Sequence, residues 1–526
     1  LSKDRRWLVL IIIVGALLRL FPIWFGLPFL GARPDEEVAI GIARRIAAGE
    51  LNPNFFHWPS LSFYIFAAAH VVGSTISTPG GSEQSMTPVE HLVLCRAVVA
   101  GAGSATLFVL YAVARRVAGQ RVALLAAALL AVAVLHVRDS HFAMTDVLTT
   151  FFVTLSLSLL TRAVDGRDLA GTVKWFAAAG VAGGLATSTK YNAGAVMAAA
   201  AAAQLVVMRR DAPAILRPAA WLPSVAFVVA FAAAFLLGTP YALLDYPKFV
   251  TDLRFDFTHL SEGHGIDLGK GWSYHATVSL PYGVGPLVAV AAIPGAVLLA
   301  RSRPRHALVL GAFFVALYAA LGSGRTVFFR YILPLVPLVC LAAAVGFSAA
   351  ALWVSERTPR YRGLAYTLMV IIAVAPGLLN SVWFDILLAR TDTRVLAGRW
   401  LDSHLADDDT FYNAGGQYAS LQLSRPTLRR VGDERPWSLA GREGEDPDWL
   451  ILAESPVFTY ARIDPNLREL ARRDYVHVIT IQGPHSQPRS AVYDLQDAFF
   501  MPVWGFWTIE RPGPTIHIYR QRDPGK

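Results

Sequence analysis

Residues 332–352 read ILPLVPLVCLAAAVGFSAAAL, 21 positions without one charged side chain. At 1.5 Å per residue, that is the length a helix needs to cross a hydrocarbon core about 30 Å thick. A helix on the surface of a soluble core would carry charged residues along its outer face. Working outward, Trp7 to Leu20, Val122 to Val134 and Ala193 to Met208 are charge-poor runs of the same kind. Of the 526 residues, 54% are hydrophobic and 16% charged, with a mean hydropathy of +0.44; soluble domains carry about 25% charge. Recurrence of such runs at regular spacing excludes large soluble domains with Ala-rich core helices.

The net charge of +9 would suit a polyanionic partner, but its distribution does not. Basic residues fall in short clusters between apolar runs: Lys3, Arg5 and Arg6; Arg115, Arg116 and Arg121; Arg162, Arg167 and Lys174; Arg209, Arg210 and Arg217; Arg301, Arg303 and Arg305; Arg357, Arg360 and Arg362. Each cluster follows an even number of spans, as cytoplasmic loops do under the positive-inside rule. The expectation is a multi-pass protein of the inner (plasma) membrane, with a cytoplasmic N-terminus, an extracytoplasmic C-terminal segment and no nucleic-acid partner. Cys95 and Cys340 sit inside apolar runs and read as packing residues.

The fold class that follows is a polytopic α-helical membrane protein of about eleven spans. They are expected near 7–27, 92–114, 121–137, 146–161, 174–188, 192–208, 219–238, 285–300, 306–321, 332–352 and 364–383. Residues 1–384 form the transmembrane domain, with long outer loops at 28–91 and 239–283. In the first loop Val38, Ile42 and Ile46 fall at i, i+4 and i+8, which predicts an interfacial helix; a second is expected from Pro59. From residue 385 charge becomes dense and apolar runs shrink to strand length, as in Trp449 to Ala453, Tyr475 to Ile481 and Ile516 to Tyr519. Helical spacing between them, around Val395 to Leu401 and Pro465 to Arg473, predicts a small extracytoplasmic α/β domain over 385–526.

Ionisable residues at a membrane boundary are costly unless paired, solvated or functional. Here they gather on the outer side: Asp35 and Glu36 after span 1, Arg138 and Asp146 between spans 3 and 4, Lys190 between spans 5 and 6, and Arg330 before span 10. The second long loop holds His259, Glu262 and His264, which read as a loop folding over substrate. Their spacing matches no regular zinc motif, so no cofactor is certain and a divalent metal stays open. Carboxylates beside cations suit a reaction that needs a base and must neutralise a phosphate leaving group.

These motifs resemble the polytopic glycosyltransferases of the GT-C fold that use polyprenyl-phosphate sugars, in particular the protein O-mannosyltransferase and aminoarabinose-transferase branch. The resemblance rests on Arg19-Leu20, Pro34-Asp35-Glu36, Arg138 to Asp146 ahead of Phe151-Phe152, Gly184 to Tyr191, and Arg330-Tyr331-Ile332-Leu333-Pro334, with Asp392-Thr393-Arg394 opening the outer domain. It spans about residues 15–400. It implies that Asp35, with Glu36 beside it, is the catalytic base and Asp146 a second catalytic acidic residue. It implies too that Lys190, Arg330 and Arg138 hold the lipid phosphate. Members of the aminoarabinose branch often carry Lys before the Pro of the first loop; this chain reads His57-Trp58-Pro59, which puts His57 in that phosphate-binding position.

A sugar on a lipid phosphate already has a good leaving group. The enzyme then needs a carboxylate within hydrogen-bond reach of an acceptor hydroxyl and cations at the departing oxygen. Direct displacement inverts the anomeric centre. The expected partners are a polyprenyl-phosphate-linked sugar, membrane lipids, and a glycan, lipid or protein acceptor. The alternative is a multi-pass transporter or lipid flippase with an outer domain, which would place its charges near mid-membrane.

Overall fold

The computed structural model describes residues 3–77, 86–209, 217–424, 429–430, 446–484 and 491–522. Arg210 and residues 78–85 of the first outer loop lie outside the described residues. The chain forms two compact units, one of residues 1–23 and 38–382, the other of 24–37 and 383–526.

The first unit is helical. In chain order it holds α1 (Lys3–Leu20), most of α2 (Glu36–Ala47), α3 (Leu61–Ser77), α4 (Pro88–Ala118), α5 (Gln120–Ala131), α6 (Val134–Asp139), α7 (Thr145–Ala163), α8 (Leu169–Thr187), α9 (Val196–Met208) and α10 (Leu222–Gly238). Next come α11 (Tyr241–Leu244), α12 (Tyr246–Glu262), α13 (Gly271–Tyr274), α14 (Leu280–Val284), α15 (Pro286–Ser302), α16 (Pro304–Ser323), α17 (Val336–Arg357) and the start of α18 (Arg362–Leu388). Helices occupy all the expected apolar runs. By length and composition, eight helical segments among the described residues could cross a membrane, or nine if the pair bent by 110° at Gly285 is one span. The shorter count has physical causes: α5 has only 12 residues, about 18 Å of rise, and α1 carries Lys3, Asp4, Arg5, Arg6 and Arg19.

Three local readings need correction. The span expected over 121–137 is broken at Val132-Ala133, between α5 and α6. Buried Arg19 holds that break, donating to the carbonyls of Leu130 (2.9 Å) and Ala131 (3.0 Å), the last two residues of α5. A cation there satisfies carbonyls that have no partner within the helix and complements its negative end. Secondly, the segment 239–283 is mostly helix rather than loop, because α12 alone takes 17 residues. Thirdly, the stripe of α2 is not laid on a surface as a unit: Ile42 and Ile46 are buried with Ala39 and Ala43, while Val38 is exposed. Cys95 and Cys340 are free and buried.

The second unit is built on a five-stranded sheet of β1 (Thr410–Asn413), β2 (Arg429–Arg430), β3 (Trp449–Glu454), β4 (Tyr475–Ile481) and β5 (Thr515–Gln521), in the order β2-β1-β3-β5-β4. β1 is parallel to β2 and β3; β5 is antiparallel to β3 and β4. The two-residue period of β3 divides its side chains between two cores. Trp449, Ile451 and Ala453 pack with Ala397, Leu401 and Leu405 in and after α19 (Thr393–His404). Leu450 and Leu452 pack with Leu467, Leu470 and Ala471 of α20 (Pro465–Asp474). Asp392 caps α19 by accepting from the Arg394 amide at 2.9 Å. The segment 24–37 is fastened into this unit by buried Arg33, which donates to both oxygens of Asp497 at 2.9 and 3.0 Å. Arg394 adds bonds to the carbonyls of Ala32 (3.2 Å) and Tyr418 (2.8 Å) and faces the Phe29 ring at 4.7 Å.

Candidate functional site

Within the first unit, Asp146 is the second residue of α7 and is buried. Lys190 reaches it from the turn after α8, where the Lys190 amide closes on the Ala186 carbonyl at 3.0 Å. The side chains of Thr149 and Thr189 join that turn to α7 at 2.8 Å. The Lys190 ammonium donates to Asp146 Oδ1 at 2.5 Å and lies 4.3 Å from the centre of the Tyr331 ring. Arg330, held in a 3-10 stretch over Phe329–Leu335, brings its Nε to 3.8 Å from the other oxygen of Asp146. Two cations thus converge on one buried carboxylate, and the group carries a net positive charge. Such a group can take a phosphate through charge-assisted hydrogen bonds.

From this centre a belt of rings runs toward α12. Phe328 lies 4.4 Å from the Arg330 guanidinium and 5.1 Å from both Tyr331 and His264. His264 Nδ1 is 3.2 Å from His259 Nε2, His259 stacks on Phe255, and Phe255 meets the His57 ring at 5.1 Å. His259 and His264 are therefore brought together. Glu262, the last residue of α12, is exposed and makes no hydrogen bond or ion pair among the described residues. Of the expected loop over substrate, His259 and Glu262 lie in the last turn of α12, Gly263 caps it and His264 follows the cap. Among the described residues no three His, Cys, Asp or Glu side chains are grouped to hold a metal ion.

His57 sits on carboxylates. Its Nδ1 is 2.9 Å from Asp256 Oδ1, and its Nε2 is 3.9 Å from Asp252 Oδ1. Asp252 also accepts from Lys248 at 2.6 Å and from the Phe56 amide at 2.9 Å. Asn52 donates to Asp245 at 2.9 Å. One acidic face of α12 therefore clamps residues 52–57. The hydrogen bond to Asp256 raises the His57 pKa above its ordinary value, with burial opposing. Burial pushes Asp256 up, and His57 pulls it back. Burial pushes Asp252 up as well, but the hydrogen bonds from Lys248 and Phe56 outweigh it and its net shift is downward.

Arg138, on α6, is buried with its Nη1 3.1 Å from Asp139 and its guanidinium 5.4 Å from the Phe142 ring. Asp35 and Glu36 belong to the second unit. Asp35 has φ 76°, and with Asn54 it is one of the two described non-glycine residues in the left-handed region. Asp tolerates that conformation better than most residues, yet it costs free energy and marks sites held for a purpose. Asp35 is half-buried, whereas Glu36, the first residue of α2, is fully buried.

Reasoning from sequence passed over Asp252 and Asp256, and gave Tyr331 no role of its own. Counted from Asp245, the residue that precedes α12, the two aspartates fall at i+7 and i+11, a helical spacing that marks one face. That signal was hidden because the segment reads as a loop. Tyr331 is adjacent to Arg330, and only the fold shows that its ring lies under Lys190.

Comparison with known proteins bears on the same region. Residues 90–237 match the model of the dolichyl-phosphate-mannose-protein mannosyltransferase family. No protein among the curated ones matches the chain. Among solved structures, the apo oligosaccharyltransferase of Archaeoglobus fulgidus is similar at TM-score 0.51 and 15% identity; the match covers 84% of this chain and 62% of that one. The same archaeal enzyme in complex with an inhibitory peptide and a dolichol-phosphate gives a TM-score of 0.50 at 15% identity, covering 84% and 62%. ArnT of Cupriavidus metallidurans bound to undecaprenyl phosphate is similar at TM-score 0.51 and 17% identity, over 90% of this chain and 96% of that one. The chain spans just under two thirds of the archaeal enzyme and nearly all of the bacterial one. In its helical architecture, with a small sheet domain after it, this chain has the GT-C fold of membrane glycosyltransferases.

Proposed function

We propose that the chain is an inverting glycosyltransferase that moves a sugar from a polyprenyl phosphate to an acceptor hydroxyl on the extracytoplasmic face of the membrane. One observation carries the reading: the Lys190 ammonium and Arg330 guanidinium meet at the buried Asp146 carboxylate, at one end of the helices. The bacterial protein of similar fold binds undecaprenyl phosphate, and a lipid phosphate is the anion this pair suits. As the donor binds, its phosphate competes with Asp146 for the two cations, and they neutralise the oxygen that departs from the sugar. Asp146, with its oxygens turned to cations, holds those cations in position rather than taking the acceptor proton.

The proton goes to Asp35. Its left-handed backbone and partial exposure favour it over buried Glu36. Asp35 as carboxylate accepts the hydroxyl proton, the acceptor oxygen bonds to C1, and the C1–O bond to phosphate breaks with its electrons on the leaving group. The ionisable residues collected at the Asp146 end argue against the transporter reading. In this reading residues 385–526 form an extracytoplasmic domain.

The test is to incubate purified protein with a panel of polyprenyl-phosphate sugars and ask which is consumed. With that donor, Asp35→Asn keeps donor affinity and lowers turnover by roughly 100-fold or more. Glu36→Gln retains most of its turnover. Full activity in both variants removes the base, and with it the reading.

A further inference from the structure

The helix that carries Asp146 at one end carries Arg162 near the other, 16 residues and about 24 Å along the axis. Arg162 is half-buried beside the Trp175 ring at 5.2 Å, and its Nε is enclosed with no hydrogen-bond partner. It lines a cavity of about 780 Å³ together with Arg5 of α1 and Arg115 and Arg116 of α4. Asp4 is the one carboxylate on its wall. Arg116 is shared with Asp165 at 3.6 Å, so the charge left over belongs mainly to Arg5, Arg115 and Arg162. The volume lies within the range of small-ligand sites. Phe108, on the same wall, is 55% exposed.

We propose that this cavity binds the headgroup of an anionic phospholipid, whose acyl chains lie along Phe108. Guanidinium groups recognise a phosphate diester through paired hydrogen bonds, and a basic pocket between helix ends with an exposed ring on its wall suits a lipid better than a free anion. Basic residues at helix C-termini are common, since they fix orientation and complement the helix dipole. Neither role requires a cavity or an enclosed Nε without a partner. The site lies at the opposite end of α7 from the proposed donor site and does not depend on it.

The experiment uses the full chain in phosphatidylcholine nanodiscs, titrated with fluorescent phosphatidylglycerol. Expected is saturable binding that unlabelled phosphatidylglycerol displaces, and that neither phosphatidylcholine nor millimolar inorganic phosphate displaces. The double variant Arg115→Gln, Arg162→Gln weakens it by roughly tenfold or more. Arg5→Gln, in the exposed first turns of α1, gives a smaller loss and stands in if the double variant does not fold. Arg357→Gln, at the end of α17 and outside the cavity, leaves binding unchanged. Equal loss in Arg357→Gln would assign the effect to the general charge of this rim and overturn the proposal. Displacement by inorganic phosphate, or no saturable binding, would overturn it as well.

Discussion

Lys190 and Arg330 are separated by 140 positions in sequence, yet both approach one carboxylate, Asp146. Removing one charge-assisted hydrogen bond to a bound phosphate costs about 1.5–3 kcal/mol. Lys190→Ala and Arg330→Ala should therefore each weaken donor binding by roughly tenfold or more, read by titration of donor into detergent-purified protein. Unchanged affinity in both would leave the pair a structural role only. His57 offers a second residue-scale test, by pH. Its folded pKa is raised, so its contribution is fully present below about 6.5 and is lost as pH rises through the raised value. The thermal midpoint should fall over that window, and His57→Gln should flatten the fall. Most of these residues could be picked from sequence as ionisable groups beside apolar runs. That His57 pairs with Asp252 and Asp256 of α12 could not, because those aspartates lie about 200 positions away.

At the scale of elements, α8 and α10 touch through glycine. A side chain at Gly180 would strike the Phe227 carbonyl, and one at Gly184 the Phe231 carbonyl. This small-xxx-small spacing lets two backbones approach within a membrane, where burial of apolar surface gives no drive to pack. Gly184→Ala should destabilise the protein by about 1–3 kcal/mol, since backbone cannot move aside as a side chain does. Detergent thermal unfolding would show it, and an unchanged midpoint would mean that the helices do not meet here. The apolar runs made the long helices legible, and the strand-length runs located β3, β4 and β5. The break between α5 and α6 was not legible: Val132 and Ala133 are apolar like their neighbours, and the Arg19 that donates to the carbonyls of Leu130 and Ala131 comes from another helix. β1 and β2 escaped because they are only 4 and 2 residues long.

For the whole molecule, the basic clusters predict an orientation that reporter fusions can measure. Fusions at Arg116 and Arg357 should read cytoplasmic, and fusions at Gly263 and Asp402 extracytoplasmic. A cytoplasmic reading at Asp402 would move the second unit to the wrong side for a lipid-linked donor used outside. The sequence by itself determined the membrane class, the apolar runs, their expected orientation and the α/β character of the last 140 or so residues, because hydropathy and charge act over neighbouring positions. It also carried the resemblance that pointed to lipid-linked sugar transfer. The tertiary structure alone decided that residues 24–37 belong with the C-terminal unit, through Arg33 on Asp497, and that Lys190, Arg330 and Asp146 form one charged centre. Those pairings join positions 464, 44 and 184 residues apart in the chain, and no local pattern of hydropathy or charge specifies which distant partner a buried ion will find.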